Sequence, residues 1–171
     1  FGLAVGLLAR HRRMVRALLI YAGILLGLLF LYGRLVGTLL MDPLLRFNAQ
    51  ATGFLANAIG ISVEVSGSQV LSDTIAFQIV AECTGLAPFA IFVAAVIAYP
   101  ATPLRKVQGI LLGFVALSAV NLVRITSLIY IGTTFPEALD VAHLLVWQSV
   151  MVIISVMFWL VWIRRYAYQS S

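Results

Sequence analysis

Four long runs of this chain carry no charged residue: Ala17 to Gly33, Cys83 to Leu104, Val107 to Val123 and Val141 to Ile163. About 20 apolar residues in a helix cross a hydrocarbon core, with a tolerance of a few. Each run meets that length. Composition agrees, because 63% of the 171 residues are hydrophobic and 10% charged, against roughly 45–50% and about 25% in a soluble domain. A globule with so few polar side chains could not cover its surface in water, so lipid is the solvent for most of the chain. Disorder, a disulfide-rich secreted scaffold and a nucleic-acid module are excluded with it. The net charge of +5 forms no phosphate-tracking face, since most Lys and Arg residues fall in short clusters between the uncharged runs. The single cysteine, Cys83, excludes an intramolecular disulfide and a multi-thiolate metal site.

The clusters set the topology. Arg10, Arg12, Arg13 and Arg16 precede the first run, Arg105 and Lys106 separate the second from the third, and Arg164 and Arg165 follow the fourth. Four crossings put all three clusters on the cytoplasmic side. The six acidic residues, Asp42, Glu64, Asp73, Glu82, Glu137 and Asp140, then fall outside. The first run resembles a signal peptide in its basic flank, but lacks a small-residue cleavage site and continues through Leu35 to Met41, so a retained helix is expected. Between Leu44 and Gly60, Phe47, Ala51, Phe54, Leu55, Ala58 and Ile59 form an apolar stripe at helical spacing. Asn48, Gln50, Thr52 and Asn57 make this segment too polar for a good span, and a fifth crossing would put Arg105 and Lys106 on the wrong side. It reads as an amphipathic helix at the outer interface.

Beyond it the period becomes two. Ile61, Val63 and Val65 alternate with polar residues, Ser66 to Gln69 supplies a turn, and Ile75, Phe77, Ile79 and Ala81 alternate again. The expected fold is an all-α polytopic membrane protein, a single domain over residues 1–171. Its transmembrane helices are placed at about 17–40, 83–103, 107–131 and 141–163. The extracytoplasmic region, about 42–82, holds the interfacial helix and a small β-hairpin. Only Gln169 to Ser171 reads as a disordered end.

Polar residues inside the runs carry the functional signal. Arg124 interrupts an apolar helix that continues through Ile125, Leu128 and Ile129, and a cation in a span is costly enough that it usually faces a polar interior. Eighteen residues separate it from Lys106, a rise of roughly 27 Å that puts it near the outer end. Asn121, three residues earlier, shares its helix face, either as a functional partner or as an interhelical hydrogen bond holding the bundle. His143 begins the fourth helix at the same depth, as a site residue or an interfacial anchor. Cys83 follows Glu82, precedes Thr84-Gly85 and opens the second helix, where the helix dipole favours a thiolate; a buried cysteine is also commonly a small hydrophobe. A thiol, an imidazole and a guanidinium thus converge on one leaflet. A thiolate attacks carbonyls, histidine shuttles a proton, and arginine stabilises thiolate or oxyanion. No metal is expected, because His11 and His143 lie on opposite sides of the membrane, and no phosphate loop or cofactor motif is present.

Glu82-Cys83-Thr84-Gly85, the Asn121-x-x-Arg124-Ile125 block with Ser127 to Tyr130, and Ala142-His143-Leu144 with Trp147-Gln148 together resemble the exosortase/archaeosortase family, notably its compact bacterial forms. The resemblance spans roughly Gly53 to Arg165. It implies a polytopic cysteine transpeptidase with Cys83 as nucleophile, and Arg124 and His143 completing the site; Glu82, Thr84, Gly85 and Asn121 support it or bind substrate. It also implies partners: exported proteins ending in a short motif, a membrane helix and a basic tail, with a lipid or surface glycan as acceptor. Glu82 departs from the Ala or Gly frequent at that position, which bears on substrate identity. The sites would face outward from the cytoplasmic membrane. Three other readings stay open: a non-enzymatic membrane subunit for export or surface-polymer assembly, an intramembrane cysteine protease using water, and, less favoured for want of midplane polar residues, a small transporter.

Overall fold

The structure is a computed structural model that describes the backbone of residues 2–167 and the side chains of residue 12 and residues 14–165. The end at Gln169 to Ser171 and the His11 side chain lie outside the described residues. The chain is mostly helical. Helix α1 (Gly2–Leu35) is followed by α2 (Asp42–Ala58), and three short strands, β1 (Val63–Ser66), β2 (Gln69–Ser72) and β3 (Ala76–Gln78), follow in turn. A 3-10 turn (Ala81–Thr84) leads into α3 (Leu86–Ala98), which precedes the long α4 (Pro103–Thr134). The last segment begins with a 3-10 turn (Pro136–Ala138) and one turn of α5 (Leu139–Val141), passes through a π-helical stretch (Ala142–Trp147), and continues as α6 (Gln148–Trp162).

Among the described residues three helical segments are long and apolar enough to cross a membrane: Met14–Leu35, Pro103–Thr134 and Pro136–Arg165. Where a membrane helix over 83–103 is expected, the α-helix itself is shorter. Helix α3 has 13 residues, about 20 Å of rise. Two backbone constraints bound it. Gly85 takes a left-handed conformation (φ 73°) at its start. Tyr99 at its end is extended (φ −75°, ψ 139°), the conformation favoured by a residue that precedes proline, here Pro100. An apolar run records neither break. Cys83 therefore does not open an α-helix but lies in the 3-10 turn before Gly85.

The expected hairpin is likewise a three-stranded antiparallel meander in the order β1-β2-β3. Ser66 and Gln69, read as turn residues, are paired strand ends. Gly67, with φ 64°, occupies the first central position of a two-residue turn, where positive φ calls for glycine. Strand β2 is only four residues long and was hidden between two stronger alternations. The side chain of Asn57 closes the outer edge of β1 through both amide groups, donating to Val63 O at 3.0 Å and accepting from Val63 N at 3.1 Å.

Two apolar cores result. The outer one joins Ala49 and Ala56 of α2, Val63, Val70 and Ile79 of the sheet region, and Ile125 and Ile129 of α4. The inner one joins Phe92 and Val96 of α3, Leu117 of α4 and Trp162 of α6. Helix α2 has two unlike faces. It packs inward with Asn48, Ala49, Thr52, Gly53 and Ala56 while Phe47, Phe54 and Ile59 are exposed. In water that arrangement would be inverted; with lipid as solvent the large apolar side chains face out and small ones permit close packing. A Cβ at Gly53 would collide with Val65 Cγ2, and one at Gly113 with the Phe92 ring.

The basic clusters share one end of the bundle. Met14 and Tyr21 of α1, Tyr99 and Pro100 after α3, and Trp159 of α6 line one cavity, and Trp162 Nε1 donates to Arg105 O at 3.3 Å. The sheet, α2 and the 3-10 turn pack around the other end of α4. Close packing at Gly113 is open to test. Gly113→Ala should lower stability by about 1–3 kcal/mol, read as the thermal unfolding midpoint of the detergent-solubilised protein; an unchanged midpoint would show that α3 and α4 do not meet there.

Candidate functional site

Between the two cores lies a cluster of polar groups from three elements. Its centre is Asn121, 1% exposed. Its Nδ2 donates to Cys83 O at 2.7 Å and to Asn48 Oδ1 at 3.4 Å. Its Oδ1 accepts from Arg124 Nη1 at 3.5 Å. One amide thus ties α4 to the 3-10 turn and to α2, and the helical spacing of Asn121 and Arg124 brings their side chains together on one face. Arg124 is 2% exposed and is among the largest fully buried side chains. Its Nη1 also donates to Glu82 O at 3.4 Å, whereas its Nε and Nη2 are buried with no partner. Among the described residues it forms no ion pair with a carboxylate. A buried cation left uncompensated costs several kcal/mol, and this edge of the guanidinium has no compensating acceptor among the described residues.

The 3-10 turn carries the thiol. Cys83 is a free, half-buried thiol, and it packs partly against the outer core. It lies within electrostatic range of Arg124. Thr84 holds the turn together, donating from Oγ1 to Ala81 O at 2.6 Å and accepting from Leu86 N at 3.4 Å. Glu82 is exposed and contributes its carbonyl. Gly85 is required twice over. Its positive φ disfavours a side chain, and a Cβ there would stand 3.0 Å from Asn121 Cγ.

His143 is half-buried in the π-helical stretch rather than at a helix start. Such i→i+5 turns recur at functional sites. It lies within electrostatic range of Arg124, Glu82 and Asp140, and among the described residues it makes no hydrogen bond to Cys83 or Arg124. Two residues escaped the sequence reading. Asn48, 5% exposed, touches the centre of the cluster; its signal was an amide recurring one turn before Thr52 on a helix otherwise read for its apolar stripe. Tyr32, near the C-terminal end of α1, lies within electrostatic range of Cys83 and Glu82, and nothing in an uninterrupted apolar run distinguishes it.

A cavity of about 790 Å³ lies elsewhere, between α1, α3 and α6 at the basic end, and none of the polar cluster lines it. Among the described residues no three His, Cys, Asp or Glu side chains gather as a metal ion requires. The Gly85 contact yields a prediction. Gly85→Ala should destabilise the protein by about 1–2 kcal/mol, the cost of left-handed backbone in a residue with a Cβ, and should slow alkylation of Cys83 by displacing Asn121. Wild-type melting and wild-type alkylation together would contradict this placement.

The family model described as transmembrane exosortase (Exosortase_EpsH) matches residues 1–163. The match extends N-terminal to the blocks that carried the resemblance and includes α1 and α2. No curated protein and no solved structure matches the chain. With a match over nearly its whole length, this multi-pass membrane protein belongs to the transmembrane exosortase family.

Proposed function

We propose that this protein is a cysteine transpeptidase or peptidase that cleaves the C-terminal sorting signal of exported proteins at the outer membrane boundary. One observation carries the reading: a fully buried guanidinium with two unpartnered nitrogens lies within electrostatic range of the chain's only thiol. Membership of the exosortase family supports it.

The reaction proceeds as two acyl transfers. The Cys83 thiolate attacks the scissile carbonyl, forming a C–S bond, and the unpartnered edge of Arg124 receives the charge that develops on oxygen. The C–N bond then breaks as His143 passes a proton to the departing amine. This leaves a thioester on Cys83 and releases the substrate's membrane helix with its basic tail. An amine or hydroxyl on a lipid or surface glycan, or water, attacks the thioester and loses its proton to His143, returning the thiol. Glu82, Thr84, Gly85 and Asn121 hold the turn and the guanidinium in register.

In this reading α3, extended at its ends by the 3-10 turn and by Tyr99 to Thr102, completes a fourth crossing, and α2 lies at the outer interface with Phe47 and Phe54 toward lipid. The gathering of basic clusters at one end of the bundle supports that topology. In that topology the site faces outward from the cytoplasmic membrane. The three-stranded sheet stands beside the site, where an exposed edge can pair with an extended recognition motif.

Two substitutions test the chemistry with a co-expressed, epitope-tagged exported protein bearing a C-terminal motif, membrane helix and basic tail. Cys83→Ala should abolish its processing at unchanged membrane levels of the enzyme; undiminished processing would remove the enzymatic reading. Arg124→Lys should slow processing about a hundredfold, the scale of a lost oxyanion donor, because an ammonium cannot reproduce the guanidinium geometry. The contact of Cys83 with the outer core is also what a structural cysteine in a non-enzymatic subunit would show. A membrane-impermeant maleimide separates the two. The enzyme should be labelled at Cys83 from outside in native membranes, whereas a packing thiol reacts only after denaturation.

A further inference from the structure

We infer that Asn48 of α2 is a positioning residue of the Cys83–Arg124 site, acting through the Asn121 amide; this rests on the cysteine reading proposed above.

The inference follows from donor and acceptor accounting. Asn121 Nδ2 carries two N–H groups, and two acceptors receive them: Cys83 O at 2.7 Å and Asn48 Oδ1 at 3.4 Å. With both hydrogens so placed, Oδ1 must face Arg124 Nη1. Were the Asn121 amide reversed, its oxygen would oppose the Cys83 carbonyl and its NH2 would oppose a guanidinium, two repulsive pairs. Asn48 is oriented in turn, because its own Nδ2 donates to Leu44 O at 2.9 Å, one turn back along α2. Its remaining polar atom, Oδ1, is therefore committed to Asn121. Every polar atom of both amides has a partner, which is the condition under which a buried network specifies one geometry.

The position is costly for any other purpose. Asn48 is buried against α4 on a face otherwise made of Ala49, Thr52, Gly53 and Ala56. An apolar side chain of similar size would pack there without needing a partner, and helix association in lipid needs no amide. What the amide adds is the orientation of Asn121, and through it the distance between the Cys83 turn and the unpartnered edge of Arg124. It also makes α2 part of the site, although α2 contributes no reacting group.

Cys83 is the chain's only cysteine, so the alkylation rate in native membranes reads this geometry without any substrate. Asn48→Leu should slow maleimide labelling of Cys83 about fivefold, the scale of one neutral hydrogen bond. Asn121→Leu should slow it at least as much, and the double variant should be no slower than Asn121→Leu alone, because one residue acts through the other. Asn48→Asp, which keeps the acceptor toward Asn121, should label faster than Asn48→Leu; a position that only packs would give the reverse order, since a buried carboxylate is the worse filler. Should Asn48→Leu fail to accumulate, Asn48→Ser, too short to reach Asn121, must show the same slowing. Wild-type labelling of Asn48→Leu or Asn48→Ser, multiplying effects in the double variant, or Leu outperforming Asp would each overturn the inference. Because no substrate enters this experiment, its failure is distinct from continued processing by Cys83→Ala, which would overturn the cysteine mechanism itself.

Discussion

Burial of the Arg124 guanidinium is the constraint around which this fold is arranged. A charged group at this position cannot reach water without leaving the bundle, and its hydrogen bonds in the structure come from one backbone carbonyl and one side-chain amide. Three elements bring polar groups to the cluster around it. The 3-10 turn brings the Glu82 and Cys83 carbonyls, α4 brings Asn121, and α2 brings Asn48 behind that amide. The backbone is shaped to match: Gly85 turns left-handed where Asn121 leaves no room for a Cβ. Removing the cation would leave several polar groups facing apolar packing, and removing them would leave the cation alone. The incomplete satisfaction of Nε and Nη2 makes the cluster a candidate for chemistry rather than only for architecture.

Lipid as solvent explains the rest of the packing. Phe47 and Phe54 on α2, and Leu18, Leu26 and Phe30 on α1, are exposed, an arrangement unfavourable in water and neutral in a bilayer. With no hydrophobic drive between helices, association depends on close approach and on polar contacts. Gly53 and Gly113 provide the first; Asn121 and the Trp162–Arg105 bond provide the second. The two apolar cores then sit on either side of the polar cluster, and none of its members lines the large apolar cavity.

Much of this was legible in residue order because charge is scarce. When 10% of residues are charged, each one inside an apolar run is a statement about location, and Arg124 with Asn121 three residues before it could be read as a shared face. The meeting of Cys83 with them followed from topology alone. What the sequence did not disclose depends on backbone breaks and on tertiary partners. Hydropathy runs unbroken across Gly85 and Pro100, so α3 reads as longer than it is, and Cys83 as a helix start rather than a turn residue. Strand β2, Gln69-Val70-Leu71-Ser72, sets two apolar residues side by side, so no alternation marks it. Asn48 reads as mere polarity until α2 is seen against α4, and the π-helical register around His143 has no periodic signature at all.

Under the proposed mechanism catalysis belongs to one turn: an electrophile accepted by Cys83, with its developing charge received by a guanidinium already buried and already oriented. Such preorganisation costs nothing at the moment of reaction, which is where electrostatic catalysis gains its advantage. The most direct measurement is capture of the covalent intermediate. Purified protein co-expressed with a tagged exported substrate, and lacking the acceptor, would be analysed by mass spectrometry of the peptide containing Cys83, with and without hydroxylamine. The expected result is a substrate acyl group on Cys83 that hydroxylamine removes. Processed substrate accompanied by a persistently unmodified Cys83, even when turnover is blocked at the second step, would contradict it.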